Sequence, residues 1–224
     1  MDRIRFATYG HSPALRHARN LLACWGYAFV DSLEDATHLL LPVPTREPLP
    51  GLPAGITVFG GNIDMGIDLL KDPYYLQENA AITAHCALKY ADIQPGMRVL
   101  VIGWGRIGKV LAHLLRELGA EVTVGLRRQE AWDAVAEAEM QPVWMQQWKA
   151  RKFDVVYNTV PASVLFSGEC REDAVLIDLA STEGIFGKGV IRARGLPGKD
   201  APEESGKLIA KTVLRYALGK ENVS

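Results

Sequence analysis

One junction organises this sequence: the apolar run Val99-Leu100-Val101-Ile102 breaks into Gly103-Trp104-Gly105-Arg106-Ile107-Gly108 and continues as a helical pattern. A run that is apolar at every position suits a strand buried on both faces of a parallel sheet. Ile107, Val110, Leu111, Leu114, Leu115 and Leu118 then recur at the three-and-four spacing of an amphipathic helix. The glycines thus stand between a strand and a helix, the context in which G-x-G-x-x-G binds a dinucleotide. Gly103 allows a tight turn, Gly105 lets the backbone approach a pyrophosphate, and Gly108 lets the helix lie close on the strand. Free N–H groups at the helix start complete an anion cradle over Gly103 to Ile107. A plain strand-to-helix turn is the alternative use of the same glycines.

Composition limits what such a turn can serve. With 48% hydrophobic and 23% charged residues the chain is an ordinary globular one. A net charge of -1 and no block of lysine or arginine give no case for nucleic acid or a membrane surface, so the expected partner is a small molecule. Cys24, Cys86 and Cys170 are far apart and lack C-x-x-C spacing, which points to buried thiols in a reducing cytoplasm, with neither a disulfide frame nor a metal site. The first seven residues lack the apolar core of a signal peptide, and no stretch approaches the roughly 18 apolar residues of a spanning helix.

Along the chain, Ile4 to Tyr9 reads as a strand and Ser12-Pro13 as the start of a helix reaching Trp25. Strands are expected at Tyr27 to Val30, Thr37 to Val43 and Ile56 to Phe59, and a short helix at Asp64 to Leu70. Asn79 to Ala91 carries alanines at 80, 81, 84, 87 and 91 and reads as a helix along a domain boundary. Beyond the glycine turn, strands at Glu121 to Val124, Phe153 to Tyr157, Ala174 to Leu179 and Val190 to Ala193 alternate with helices, including Glu130 to Glu139 and Met145 to Ala150. Such alternation implies an α/β fold with a Rossmann-type doubly wound parallel sheet, preceded by a smaller flavodoxin-like α/β domain. A last helix opens with Pro202, Glu203 and Glu204, ends before Gly219, and is apolar around most of its circumference, so it is expected to return to the N-terminal domain. The domains are therefore 1–78, 79–200 and a returning helix in 201–224.

About 20 residues past the glycines, where an NAD site carries an acid for the ribose hydroxyl, the chain reads Gly125-Leu126-Arg127-Arg128. Two guanidinium groups suit a 2'-phosphate, so NADP(H) is expected, with NAD(H) the alternative if the arginines are merely solvated. Ligands of open α/β sheets bind outside the carboxyl ends of the strands, which places Asn158, Thr159, Pro161 and Ser181 near cofactor or substrate. No histidine follows His113, so the late histidine acid/base of D-2-hydroxy-acid dehydrogenases has no candidate. His85, on the boundary helix, is the candidate for proton transfer, its alternative being a packed structural histidine.

Taken in order, the glycine turn, Asn79-Ala80-x-x-Thr83-Ala84, Asn158-Thr159-x-Pro161, Asp178-Leu179-Ala180-Ser181 and Gly195-Leu196-Pro197-Gly198-Lys199-x-Ala201-Pro202 resemble the first, nucleotide-binding subunit of dipicolinate synthase. The resemblance covers roughly residues 78 to 218 and departs at His85-Cys86, where that family carries an acidic and a small residue. It implies an NADP(H)-dependent oxidoreductase that oxidises a dihydrodipicolinate-type intermediate in sporulating bacteria, together with a flavoprotein-like second subunit. A substrate cleft lined by Thr83, His85, Asn158, Thr159, Ser181 and Lys199 is expected, with Lys199 holding a carboxylate. A non-catalytic nucleotide-binding subunit, another small-acid dehydrogenase and a homodimer all remain open on the sequence.

Overall fold

The computed structural model describes residues 4–145 and 147–219. Two compact units emerge: one runs to Asn79 and resumes at Pro197, and the other is Ala80–Leu196. In the first, β1 (Arg5–Thr8), β2 (Ala28–Phe29), β3 (His38–Leu40), β4 (Thr57–Gly60) and β5 (Ile67–Asp68) pair in parallel in the order β2-β1-β3-β4-β5. This is the 2-1-3-4-5 order of flavodoxin-like folds. Between β1 and β2, α1 (Pro13–Cys24) starts as the Ser12-Pro13 signal requires, with Ser12 Oγ accepting from the Leu15 amide at 3.0 Å. Ala7, Leu39, Leu41, Val58 and Ile63 form the core on one side of this sheet. The expected helix at Asp64 to Leu70 is instead β5 followed by a single 3-10 turn, Leu69–Lys71. Ile67 pairs with Phe59, so the edge of a growing sheet outweighs local helix preference over so short a stretch. Helix α2 (Pro73–Ala87) begins earlier than expected, at a proline that suits a first helical position, and a 3-10 turn, Leu88–Tyr90, follows it.

In the second unit, β6 (Arg98–Ile102), α3 (Arg106–Glu117), β7 (Glu121–Leu126), α4 (Gln129–Glu137), β8 (Gln141–Trp144), β9 (Val155–Asn158), β10 (Leu165–Phe166), β11 (Val175–Asp178), β12 (Ile185–Phe186) and β13 (Val190–Arg192) follow one another. Six strands make one parallel sheet, ordered β13-β11-β9-β6-β7-β8, while β10 and β12 form a separate small pair. Counted from β6, this is the 3-2-1-4-5-6 order of dinucleotide-binding folds, with its reversal between β6 and β9. Leu100, Ile102, Val156 and Leu176 point to one face, where Phe153, Leu165, Cys170 and Ile185 cover them. β8 escapes a sequence reading because Pro142 interrupts its apolar run, but it pairs only with β7 and so needs no donor on its outer side. The helix expected at Met145 to Ala150 is not formed over the described part: a 3-10 turn occupies Ala150–Lys152, and residue 146 lies outside the described residues.

The chain then passes through α5 (Leu196–Asp200) into α6 (Pro202–Ala217). As expected, this last helix returns to the N-terminal unit, where it packs along α1. The two backbones come so close that a Cβ on Gly206 would lie 2.5 Å from His17 Cβ and 2.7 Å from the Ala14 carbonyl. Asp72, 4% exposed, accepts from the Tyr75 amide and the Tyr216 hydroxyl, each at 2.7 Å, and is ion-paired with Arg215. Burial alone would raise the Asp72 pKa, but these three donors more than offset it and hold the carboxyl below its usual value. Among the described residues no helix is long and apolar enough to cross a membrane. Cys86 and Cys170 are buried thiols, whereas Cys24, expected to be buried, is exposed at the end of α1.

Candidate functional site

β6 ends at Ile102 and α3 begins at Arg106, so the turn is Gly103-Trp104-Gly105. Gly103 has φ of 102°, and a Cβ there would sit 2.7 Å from both Thr159 Oγ1 and Val160 Cγ2. On Gly108 a Cβ would lie 2.2 Å from the Gly103 carbonyl oxygen, so the approach of α3 to the strand depends on its absence. Gly105 differs. Its φ is -83°, open to any residue, and a Cβ would meet nothing within 4 Å. The fold makes no use of the missing side chain at Gly105, whereas a ligand lying across the turn would. Gly105 also caps α3 without any side-chain bond, and the first helical hydrogen bond runs from Lys109 N to Gly105 O at 2.9 Å. The amides of Arg106, Ile107 and Gly108 therefore have no intrahelical acceptor. The indole Nε1 of Trp104 is buried and lacks a partner. A cradle that a Cβ on Gly105 would narrow, uncapped amides and an orphan donor together fit an anionic dinucleotide.

These groups border a pocket of about 280 Å³ whose walls are Gly103, Trp104, Gly105, Gly125 to Arg128, Ala131, Met145 and Thr159 to Pro161. Seven of the expected cofactor residues meet there: Gly103, Trp104, Gly105, Arg127, Arg128, Thr159 and Pro161. Arg106, Ile107 and Gly108 open α3 beside it, and Asn158 is buried at the end of β9. At the second strand no carboxylate is available, for a reason the sequence did not disclose: a Cβ on Gly125 would lie 2.3 Å from the ring of Trp148. Leu126 is buried, while Arg127 and Arg128 are exposed and make no ion pair among the described residues; Arg127 Nε donates to Met145 Sδ at 2.9 Å. A larger hollow, about 790 Å³, lies at the opposite edge of the sheet, where Arg98, Glu121 and Gln141 begin their strands. Sheets of this kind bind ligands at the carboxyl edge, so the smaller pocket is the relevant one.

Next to the pocket, Thr159 Oγ1 donates to the Ile102 carbonyl at 2.9 Å, tying the end of β9 to the start of the turn. Both amide donors of Asn158 are committed: Nδ2 donates to the Val160 carbonyl at 3.0 Å and to Asp178 Oδ1 at 2.8 Å, while Oδ1 accepts from the Val160 amide at 3.0 Å. Asp178, wholly buried, also accepts from the amides of Ala180, Gly184 and Ile185. It is the hub that holds the exits of β9 and β11 together. Its sequence signal was an acid ending an apolar strand in register with Asn158. Burial pushes the Tyr157 phenol well above its ordinary pKa, so it stays neutral on β9. Thr83 is buried on α2, and two residues on His85 is exposed, its Nδ1 2.9 Å from the Ala81 carbonyl. Ser181 is exposed after β11, and Lys199 is exposed on α5, in the other unit. Among the described residues no group of three or more His, Cys, Asp or Glu side chains could hold a metal ion.

Over nearly its full length the chain is similar to solved proteins. It matches dipicolinate synthase, A chain, from Bacillus subtilis with a TM-score of 0.81 at 20% identity, over 99% of this chain and 97% of that one. With the corresponding dipicolinate synthase chain from Bacillus halodurans the TM-score is 0.80 at 21% identity, over 95% and 97% of the two chains. The fold is that of this dipicolinate synthase chain. Residues 98–175 match the family model described as pyridine nucleotide-disulphide oxidoreductase. NADP-dependent alcohol dehydrogenase C 1 of Mycolicibacterium smegmatis is 30% identical over 118 residues, 46% of this chain and 32% of that protein. The chain thus spans about a third of the length of that curated relative. Glycine turn, strand order and matches together support a pyridine nucleotide as the cofactor.

Proposed function

We propose that this protein is an NADP(H)-dependent oxidoreductase that oxidises a dihydrodipicolinate-type ring to dipicolinate in the cytoplasm, alongside a flavoprotein-like second subunit. The observation that carries the cofactor half is the pocket itself, with a glycine cradle at one side and, at the other, two guanidinium groups that make no ion pair among the described residues. The amides of Arg106, Ile107 and Gly108 hold the pyrophosphate, Arg127 and Arg128 the 2'-phosphate, and Thr159 and Pro161 border the nicotinamide side. Likeness of fold to the two dipicolinate synthase structures supports the substrate half.

When bound, the oxidised nicotinamide supplies the acceptor for a hydride leaving a ring C–H. A proton must leave the ring as well, and we assign it to His85. A carbonyl can only accept, so His85 Nδ1 donates to Ala81 O, and in the neutral ring this leaves Nε2 with the lone pair a base needs. Thr83 and Ser181 offer hydroxyls to the carboxylates of the substrate. Asn158 acts at one remove, holding Thr159 and the β9 exit in place.

The test follows nicotinamide absorbance with NADP+ and freshly prepared dihydrodipicolinate, with and without the second subunit. One NADPH per dipicolinate is expected, with His85→Ala lowering kcat and Ser181→Ala raising KM. Full turnover and KM in both variants refute the substrate-site assignment, and no absorbance change under either condition refutes the oxidoreductase reading. Turnover of a simple alcohol instead would favour the chemistry named for the Mycolicibacterium relative.

A further inference from the structure

Two residues past β13, Arg194 carries a guanidinium whose Nε and Nη2 are both buried and both without a hydrogen-bond partner. No described carboxylate pairs with it, although nearby Arg192 is paired with Glu183 and lies 3.9 Å from Asp178. Arg194 as a whole is half-buried, and each of these two buried donors left unpaired costs free energy. Nε and Nη2 are also the two nitrogens whose N–H bonds run parallel on one side of the guanidinium plane, the fork that matches the two oxygens of a carboxylate. Two parallel donors of this kind match an anion.

Position decides which anion. The Ala193 amide bonds to the Asp178 carbonyl at 3.0 Å, so Arg194 leaves the sheet at its carboxyl edge, beside the Asp178 hub. In the strand order β13-β11-β9-β6-β7-β8 it stands three strands from the glycine turn, about 14 Å at the usual strand spacing of about 4.8 Å. Arg127 and Arg128 lie at the far side of that turn, after β7. A dinucleotide that sets its 2'-phosphate on β7 and its pyrophosphate on β6 directs its reactive end toward β9, the side on which Arg194 stands. The anion is therefore the substrate's and not the cofactor's. We infer that Arg194 is the bidentate anchor for a carboxylate of the substrate.

This inference rests on the oxidoreductase reading for its purpose but not for its test. Binding of pyridine-2,6-dicarboxylate and of pyridine-2-carboxylate to the NADP(H)-loaded protein is measured by calorimetry for wild type, Arg194→Lys and Arg194→Gln, with NADPH affinity measured alongside. Wild type is expected to bind the dicarboxylate, Arg194→Gln to lose about tenfold to a hundredfold in affinity, and Arg194→Lys, which keeps the charge but not the fork, to lose most of that. NADPH affinity should hold within twofold. Without ligand, Arg194→Met should raise Tm, because two unpaired buried donors are removed, and the dicarboxylate should raise Tm of wild type alone. Equal dicarboxylate binding in wild type and Arg194→Gln, a parallel loss of NADPH, no carboxylate binding by wild type, or a fall in Tm in Arg194→Met each overturn the anchor. Arg194-dependent binding of the monocarboxylate only would support the anchor while refuting a dicarboxylate ring as substrate.

Discussion

Replacing Gly105 with valine separates the fold from the ligand more cleanly than any other change at the turn. The site has extended backbone, φ -83° and ψ -169°, which β-branched residues tolerate, and open space where the side chain would go. The cost to folding should therefore be small, with Tm close to wild type. The added methyl groups would occupy the path of a pyrophosphate across the uncapped amides of α3. Loss of two charge-assisted bonds at about 1.5 kcal/mol each removes about 3 kcal/mol, or more than a hundredfold in Kd. Gly108→Ala is the contrasting control: its Cβ would sit 2.2 Å from the Gly103 carbonyl, so it should lower Tm sharply. Calorimetric unfolding together with NADPH fluorescence titration reads both effects. A folded Gly105→Val protein that binds NADPH within threefold of wild type would refute the placement of the pyrophosphate, whatever else the pocket holds.

Arg127→Ala with Arg128→Ala should weaken NADPH by about tenfold or more and NADH little, read by parallel titrations; equal losses would show that the arginines serve something other than a 2'-phosphate. Asp72→Ala should cost about 3 kcal/mol in urea unfolding, since it leaves Arg215 without its counter-charge. Because the folded pKa of Asp72 lies below its unfolded value, its contribution is full at neutral pH and disappears as pH falls through the folded value. Wild type should thus lose stability on acidification more steeply than Asp72→Ala, and identical slopes would contradict the sign. Iodoacetamide on the native protein should label Cys24 and spare Cys170, which is buried and has its pKa pushed up to about 11 by burial and then by Glu169; mass spectrometry of the digest decides.

Much of the nucleotide unit could be read from residues alone, because its signals are local. Four apolar positions, three glycines and a 3.6-period helix lie within twenty residues, and each has one inexpensive structural solution. Where sequence reading failed, partners distant in the chain decided the outcome. Residues 67–68 became strand because β4 offered an edge, and residues 141–144 because β7 did, despite Pro142. Gly125 looked like a mere absence of acid until the Trp148 ring was found in the space a side chain would need. Asn158 invites a functional role as a polar strand exit, yet its amide is consumed by Val160 and Asp178. Arg194 carried no motif at all; what sets it apart is a pair of buried nitrogens without a partner and, unlike Arg215, no carboxylate beside it among the described residues.

The return of α6 to α1 bears on the order in which the nascent chain can fold. Ala14, Leu15, Ala18 and Leu22 of α1 are buried in the finished protein, and Gly206 of α6 meets that helix at Ala14 and Ala18. Until the residues after Pro202 leave the ribosome, this face of α1 has no cover, an interval on the order of ten seconds at usual rates of synthesis. The unit formed by Ala80–Leu196 is meanwhile complete in sequence and free to fold. The unit that starts first therefore finishes last, and its apolar helix face is where a chaperone would be needed while translation continues.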